Sequence, residues 1–149
     1  MEPGDNPWQQ HPWAREAVAQ ARHAILGTVG PSGEARLVPC AFALMGDDVV
    51  SAVDHKPQTS TQLARLADIE RTGRATVLVE HYEDDWDRLW WVRLSGRARL
   101  VTPADAGPAL AALVARYEQY TRQPPEGPCY AITVERVAAW RATEVVGCN

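Results

Sequence analysis

Residues 24–53 read Ala24-Ile25-Leu26-Gly27-Thr28-Val29-Gly30-Pro31-Ser32-Gly33-Glu34-Ala35-Arg36-Leu37-Val38-Pro39-Cys40-Ala41-Phe42-Ala43-Leu44-Met45-Gly46-Asp47-Asp48-Val49-Val50-Ser51-Ala52-Val53. Ala24 to Val29 is an extended apolar run, and Gly30-Pro31-Ser32-Gly33 is a turn. A second extended run follows from Ala35 to Met45. Gly46-Asp47-Asp48 turns the chain again into the β-branched segment Val49 to Val53. Three strands joined by such short turns are antiparallel, and this sets the fold class.

Outward from that core the pattern alternates between helix and strand. Trp13, Ala17, Val18 and Ala21 recur at helical spacing, so a short amphipathic helix precedes the first strand over Trp13 to His23. Pro57 holds His55-Lys56 extended, and Thr59 or Ser60 caps a helix carrying Leu63, Leu66 and Ala67. Arg74 to His81 and Arg88 to Val101 form a second hairpin around the acidic loop Glu83-Asp84-Asp85. Thr102-Pro103-Ala104-Asp105 is a helix start, with Thr102 as N-cap and Pro103 at the first helical position. Pro108 either kinks that helix or delays it to Gly107. Its buried side is Leu110, Leu113, Val114 and Tyr117. A last strand runs from about Cys129 to Trp140.

This order gives a mainly β domain with appended helices, an α+β arrangement of six strands, and no β-α-β repeat. It fits a small barrel better than a doubly wound sheet. One domain is expected over residues 13–142, with an N-terminal extension over 1–12 and a C-terminal tail over 143–149.

Composition narrows the function. At 149 residues the chain has room for one core. A net charge of −4 argues against nucleic acid as a partner, since phosphate neutralisation needs a basic surface. Of 15 basic residues only Lys56 is a lysine. No run approaches the roughly 18 apolar residues of a membrane span, and Met1 to Trp13 lacks the basic and apolar regions of a leader. The expected location is the cytoplasm. Cys40, Cys129 and Cys148 are widely spaced, which gives neither a disulfide framework nor a zinc knuckle, and no metal site is expected. No G-x-S-x-G, Walker A, H-E-x-x-H or G-x-G-x-x-G occurs.

Several residues have chemical potential of their own. Lys56 sits between a strand and a helix start, where an ammonium and first-turn N–H groups can face one anion; the competing reading is a solvated turn lysine. Thr59, Ser60 and Thr61 offer hydroxyls to the same anion, although one of them caps the helix. His55 is either an anion donor or an exposed loop histidine. Trp90 and Trp91 are adjacent in a strand and point to opposite faces, one into the barrel and the other to a dimer interface or substrate groove. Trp86 shares their character within the acidic loop. Cys40 reads as a small buried hydrophobe in preference to a nucleophile, because no activating base is evident. The carboxylates of the acidic loop lack calcium-loop spacing and read as a solvated hairpin tip.

The stretches Leu26-Gly27-Thr28-Val29-Gly30, Leu37-Val38-Pro39, Ala52-Val53-Asp54-His55-Lys56-Pro57 and Trp86-Asp87-Arg88-Leu89-Trp90-Trp91-Val92-Arg93 together resemble the pyridoxamine-phosphate-oxidase-like split barrels. They resemble in particular the subgroup described as deazaflavin (coenzyme F420)-dependent. The likeness implies a six-stranded, FMN-binding-type split β-barrel that works as a homodimer, with the cofactor in the groove between subunits. It implies cofactor contacts from Leu37, Val38, Pro39 and Cys40, from Val53, Asp54, His55 and Lys56, and from Thr59, Ser60 and Thr61. It also implies hydride transfer between coenzyme F420 and an unsaturated small molecule; no membrane partner is expected, because no apolar run is long enough to span a bilayer. The stretch Gln58-Thr59-Ser60-Thr61-Gln62 is poorer in basic residues than the family pattern. FMN is therefore the alternative cofactor, and a non-catalytic cofactor or haem carrier is the rival from another class.

Overall fold

The computed structural model describes residues 6–53 and 60–142. Its elements are α1 (Pro12–Gln20), β1 (Ala24–Val29), β2 (Ala35–Cys40), β3 (Ala43–Met45), β4 (Asp48–Ala52), α2 (Ser60–Thr72), β5 (Arg74–His81), β6 (Trp90–Leu100), α3 (Ala106–Arg116), α4 (Glu118–Arg122) and β7 (Cys129–Arg141). All strand pairs are antiparallel, in the order β2-β1-β5-β6-β7-β4-β3.

That order shows why the sheet is curled. β2 and β3 lie at its two ends, yet only Ala41 and Phe42 separate them in sequence. Three Cα steps reach at most about 11 Å, whereas the edges of a flat seven-stranded sheet stand about 29 Å apart. The sheet must roll up until its edges approach each other, which makes a split barrel. The seam is pinned by two contacts to the linker. Ser51 Oγ donates to the Ala41 carbonyl at 2.5 Å, and the Phe42 N–H donates to the Tyr117 hydroxyl at 3.0 Å.

Two expectations need correction here. The run Ala35 to Met45 is not one strand but two, β2 and β3, because it crosses this seam; the barrel has seven strands instead of six. The helix expected from Thr102 begins later. Pro103–Asp105 is a single 3-10 turn, with Thr102 Oγ1 donating to the Asp105 carboxylate at 3.1 Å, and α3 starts at Ala106. Its buried residues are Ala109 and Leu113, while Leu110, Val114 and Tyr117 are half-buried.

The barrel interior holds Leu26, Val49, Val77, Val79, Val92, Leu94, Tyr130 and Ile132. Each comes from the inward side of a two-residue alternation. Within the stretch expected as an extension, Trp8 contributes to the same core. Trp8 is 2% exposed and donates its indole N–H to the Asp47 carbonyl at 3.3 Å, while Ala14 and Val18 of α1 bury beside it. A second cluster forms where α3 covers the outer side of β3, β4 and the start of β7, around Ala43, Val50, Leu113, Cys129 and Ala131.

Glycine matters at two positions. Gly73 ends α2 at φ +66°, its N–H bonded to the Ile69 carbonyl at 2.8 Å. Gly96 stands where the β6–β7 register shifts, and a side chain there would run into the Thr133 carbonyl. Among the described residues no helix is long and apolar enough to cross a membrane.

Candidate functional site

β2 presents the sequence-predicted residues on two different faces. Leu37, 73% exposed, and Pro39 point outward, while Val38 and Cys40 point into the barrel. Leu37 lies opposite Gly27 on β1, and a Cβ at Gly27 would come within 3.3 Å of the Leu37 side chain. The missing side chain keeps that part of the surface low. Val53 is fully buried, its N–H donated to the Pro128 carbonyl at 2.9 Å. Ser60 and Thr61 form the first turn of α2. Asp54, His55, Lys56 and Thr59 lie outside the described residues.

Beneath β2 and β4 sits a buried polar cluster of Cys40, Ser51, Tyr130 and Arg65. The Tyr130 hydroxyl and the Arg65 Nε are both buried without a hydrogen-bond partner among the described residues. Burial pushes the Tyr130 phenol and the Cys40 thiol up from their ordinary values, and the nearby Arg65 guanidinium offsets part of this in both cases. Cys40 is accordingly a neutral thiol at neutral pH, a poor nucleophile. Arg65 is the residue that sequence reasoning missed. Its signal was its position three residues before Asp68 and four before Ile69, which are both buried. That spacing turns one polar side of α2 toward the barrel.

α2 is fixed by an ionic contact. The Asp68 carboxylate, 1% exposed, accepts from the Thr28 hydroxyl at 2.9 Å and pairs with Arg71 at 3.1 Å and Arg36 at 3.4 Å. Arg71 also donates to the Val29 carbonyl. Helix and strand are thereby held in one relative position, and with them Arg65.

The tryptophans divide as strand alternation requires. Trp90 packs against the barrel core, edge-on to Trp13 at 6.3 Å and stacked with His81 at 6.4 Å. It lines a crevice of about 350 Å³ with Trp13, Leu89 and Arg141. Trp91 takes the outer face, directly across from Trp140 and 5.4 Å beneath the Arg93 guanidinium. Trp86, 68% exposed, lies in a 3-10 turn at the tip of the β5–β6 hairpin.

The outer face of β2, β1, β5, β6 and the end of β7 is apolar over much of its breadth. It carries Val29, Leu37, Pro39, Leu78, Trp91 and Trp140, with Val29 at 49% and Trp140 at 38% exposure. α3 covers the far side of the barrel instead. The Arg65 Nε–H and the Tyr130 hydroxyl, without a partner among the described residues, are donors of the kind an anionic group such as a phosphate accepts from. They do not suit a divalent cation, and among the described residues no group of three or more His, Cys, Asp or Glu is placed to hold a metal.

Comparison with known proteins places this geometry in context. Residues 11–143 match the family described as pyridoxamine 5′-phosphate oxidase. No curated protein matches the sequence. Among solved structures, the chain is similar to the conserved hypothetical protein Rv2991 from Mycobacterium tuberculosis, with TM-score 0.75 and 17% identity over 98% of this chain and 93% of that one. It is similar to a heme binding protein from Mycobacterium smegmatis, with TM-score 0.66 and 16% identity over 90% of this chain and 58% of the other. A fad-binding protein from Mesorhizobium loti gives TM-score 0.62 and 13% identity, covering 86% of this chain and 90% of its own. At these identities the likeness is one of fold.

Proposed function

The chain belongs to the pyridoxamine 5′-phosphate oxidase family, and from that membership we propose that it is an oxidoreductase holding a flavin-type cofactor between two copies of itself. The finer form of the reading is hydride transfer between coenzyme F420 and an unsaturated small molecule. FMN is the alternative cofactor.

One observation carries the reading. The outward side of β1 and β2 is an apolar surface, with Leu37 at 73% and Val29 at 49% exposure, that no other described element covers. Such a surface supports the face of a planar ring and is closed from water by a second subunit. Arg65 on α2, its Nε without a partner among the described residues, is one cation for a phosphate, with Lys56 from the sequence as another. The hydride chemistry belongs to the cofactor; the protein orients it, excludes water and limits access. Leu37 and Pro39 would contact the ring, while Cys40 and Tyr130 form the floor behind β2. This use of the fold requires no catalytic thiol, consistent with a Cys40 whose proton is held more tightly than usual.

The test is to titrate the purified protein with FMN, FAD, coenzyme F420 and haem while recording absorbance and fluorescence. The reduced form of whichever binds is then mixed with a quinone or enone acceptor. Saturable binding of a flavin or deazaflavin followed by acceptor reduction supports the proposal. Binding of haem alone, or of none of the four, overturns it.

A further inference from the structure

The outer face of the β5–β6 hairpin is electrically divided along its length. On β6, Arg93, Arg97 and Arg99 are exposed and alternate with the buried Val92, Leu94 and Ala98, so they form a row on one face. Arg74 lies opposite Arg97 on β5, and the exposed Arg136 flanks the row on β7. Glu135 is the carboxylate paired there, shared between Arg74 at 3.3 Å and Arg97 at 3.4 Å. Arg99 bonds the Thr133 hydroxyl at 3.2 Å. The result is a strongly positive patch on a chain whose net charge is −4.

The tip of the same hairpin has the opposite character. Asp84, Asp85 and Asp87 are exposed, and Glu80 stands just below on β5. Tyr82 and Trp86 are 70% and 68% exposed, large aromatic side chains with little cover. Carboxylates and bare aromatic faces are the two groups that guanidinium binds best, by bidentate pairing and by stacking.

We propose that the arginine row of one copy receives the hairpin tip of a second copy. This rests on the dimer proposed above and specifies how the two copies dock. Two sheets packed face to face about a two-fold axis in the contact plane have two simple arrangements. With the axis along the strands, tip lies over tip and arginine row near arginine row, so like charges meet. With the axis across the strands the hairpins run antiparallel, and each tip falls on the partner's row. The second arrangement sets the acidic tip against the arginine row, forms that contact twice by symmetry, and lays Leu78 and the neighbouring apolar surface against its own copy.

Two variants test this in the full chain, one with Arg97→Glu and Arg99→Glu and the other with Asp84→Lys and Asp87→Lys. Sedimentation equilibrium at low salt gives the dimer dissociation constant, with circular dichroism as the check on folding. Each variant alone should dimerise at least about tenfold more weakly than the parent. An equimolar mixture should recover parental affinity, because in the heterodimer acidic tip meets basic row on one side and basic tip meets acidic row on the other. A parent that dimerises while the variants are unaffected, or a mixture that fails to recover, overturns the docking arrangement and leaves the dimer standing. A monomeric parent overturns the dimer itself.

Discussion

Thr28 on β1 donates its hydroxyl hydrogen to the buried carboxylate of Asp68 on α2 at 2.9 Å, joining residues forty positions apart. Because Asp68 also pairs with Arg36 and Arg71, it is the point at which the helix is tied to the barrel. Removing it leaves Thr28 without its partner and Arg71 without its counter-charge, while Arg36 keeps Glu34 at 3.3 Å. Both arginines reach solvent, which reduces the loss below that of a fully buried pair. Asp68→Ala should cost about 2–4 kcal/mol and Thr28→Val about 1 kcal/mol, as measured by urea unfolding.

The seam linker depends on Tyr117, whose hydroxyl accepts from the Phe42 N–H at 3.0 Å and donates to the Arg22 carbonyl at 2.9 Å. Tyr117→Phe removes both bonds and leaves the volume unchanged. It should lower stability by about 1–2 kcal/mol. Hydrogen exchange should rise first at Phe42; unchanged protection there would show that the clamp is not what holds the linker.

Tyr130 should behave in the opposite way. Its hydroxyl is buried without a partner among the described residues, so Tyr130→Phe removes an unsatisfied group and keeps the packing. At pH 7 the variant should be as stable as the parent or more stable by up to about 1 kcal/mol. A clear loss in the thermal midpoint would point to a partner for the hydroxyl.

Alkaline stability follows from the same groups. Burial raises Cys40 and Cys129 above the thiol value of 9.0 and Tyr117 and Tyr130 above the phenol value of 10.0. The folded state therefore holds these protons more tightly than the unfolded chain does. Their contribution is complete below the unfolded values and is lost as pH rises from about 9 through the folded ones. Urea midpoints should be flat in this respect from pH 7 to 8.5 and fall above pH 9, less steeply in Tyr130→Phe.

Gly96→Ala should be among the most damaging single substitutions. The added methyl falls on the Thr133 carbonyl, a backbone atom that cannot move without reopening the β6–β7 register. A loss of about 2–4 kcal/mol is expected, read from denaturant unfolding. A mild effect would mean that the bulge can slide.

The antiparallel strands, the helix after Lys56 and the inward alternation of β6 were legible in the sequence because they depend on neighbours a few residues apart. Turn residues such as Gly46-Asp47 and the period-2 pattern of Val92, Leu94 and Ala98 act locally. The same local rule correctly sent Trp90 and Trp91 to opposite faces. It could not show that Ala35 to Met45 crosses a seam, since Ala41 and Phe42 are ordinary strand residues and only the rolling of the sheet separates β2 from β3. Nor could it show that Trp8 fills the core, that Arg65 and Tyr130 meet behind β2, or that Arg74, Arg97, Arg99 and Arg136 gather on one surface around Glu135. Those neighbours are brought together by strand order and register, which arise from the burial of many side chains at once, and no short window of sequence records them.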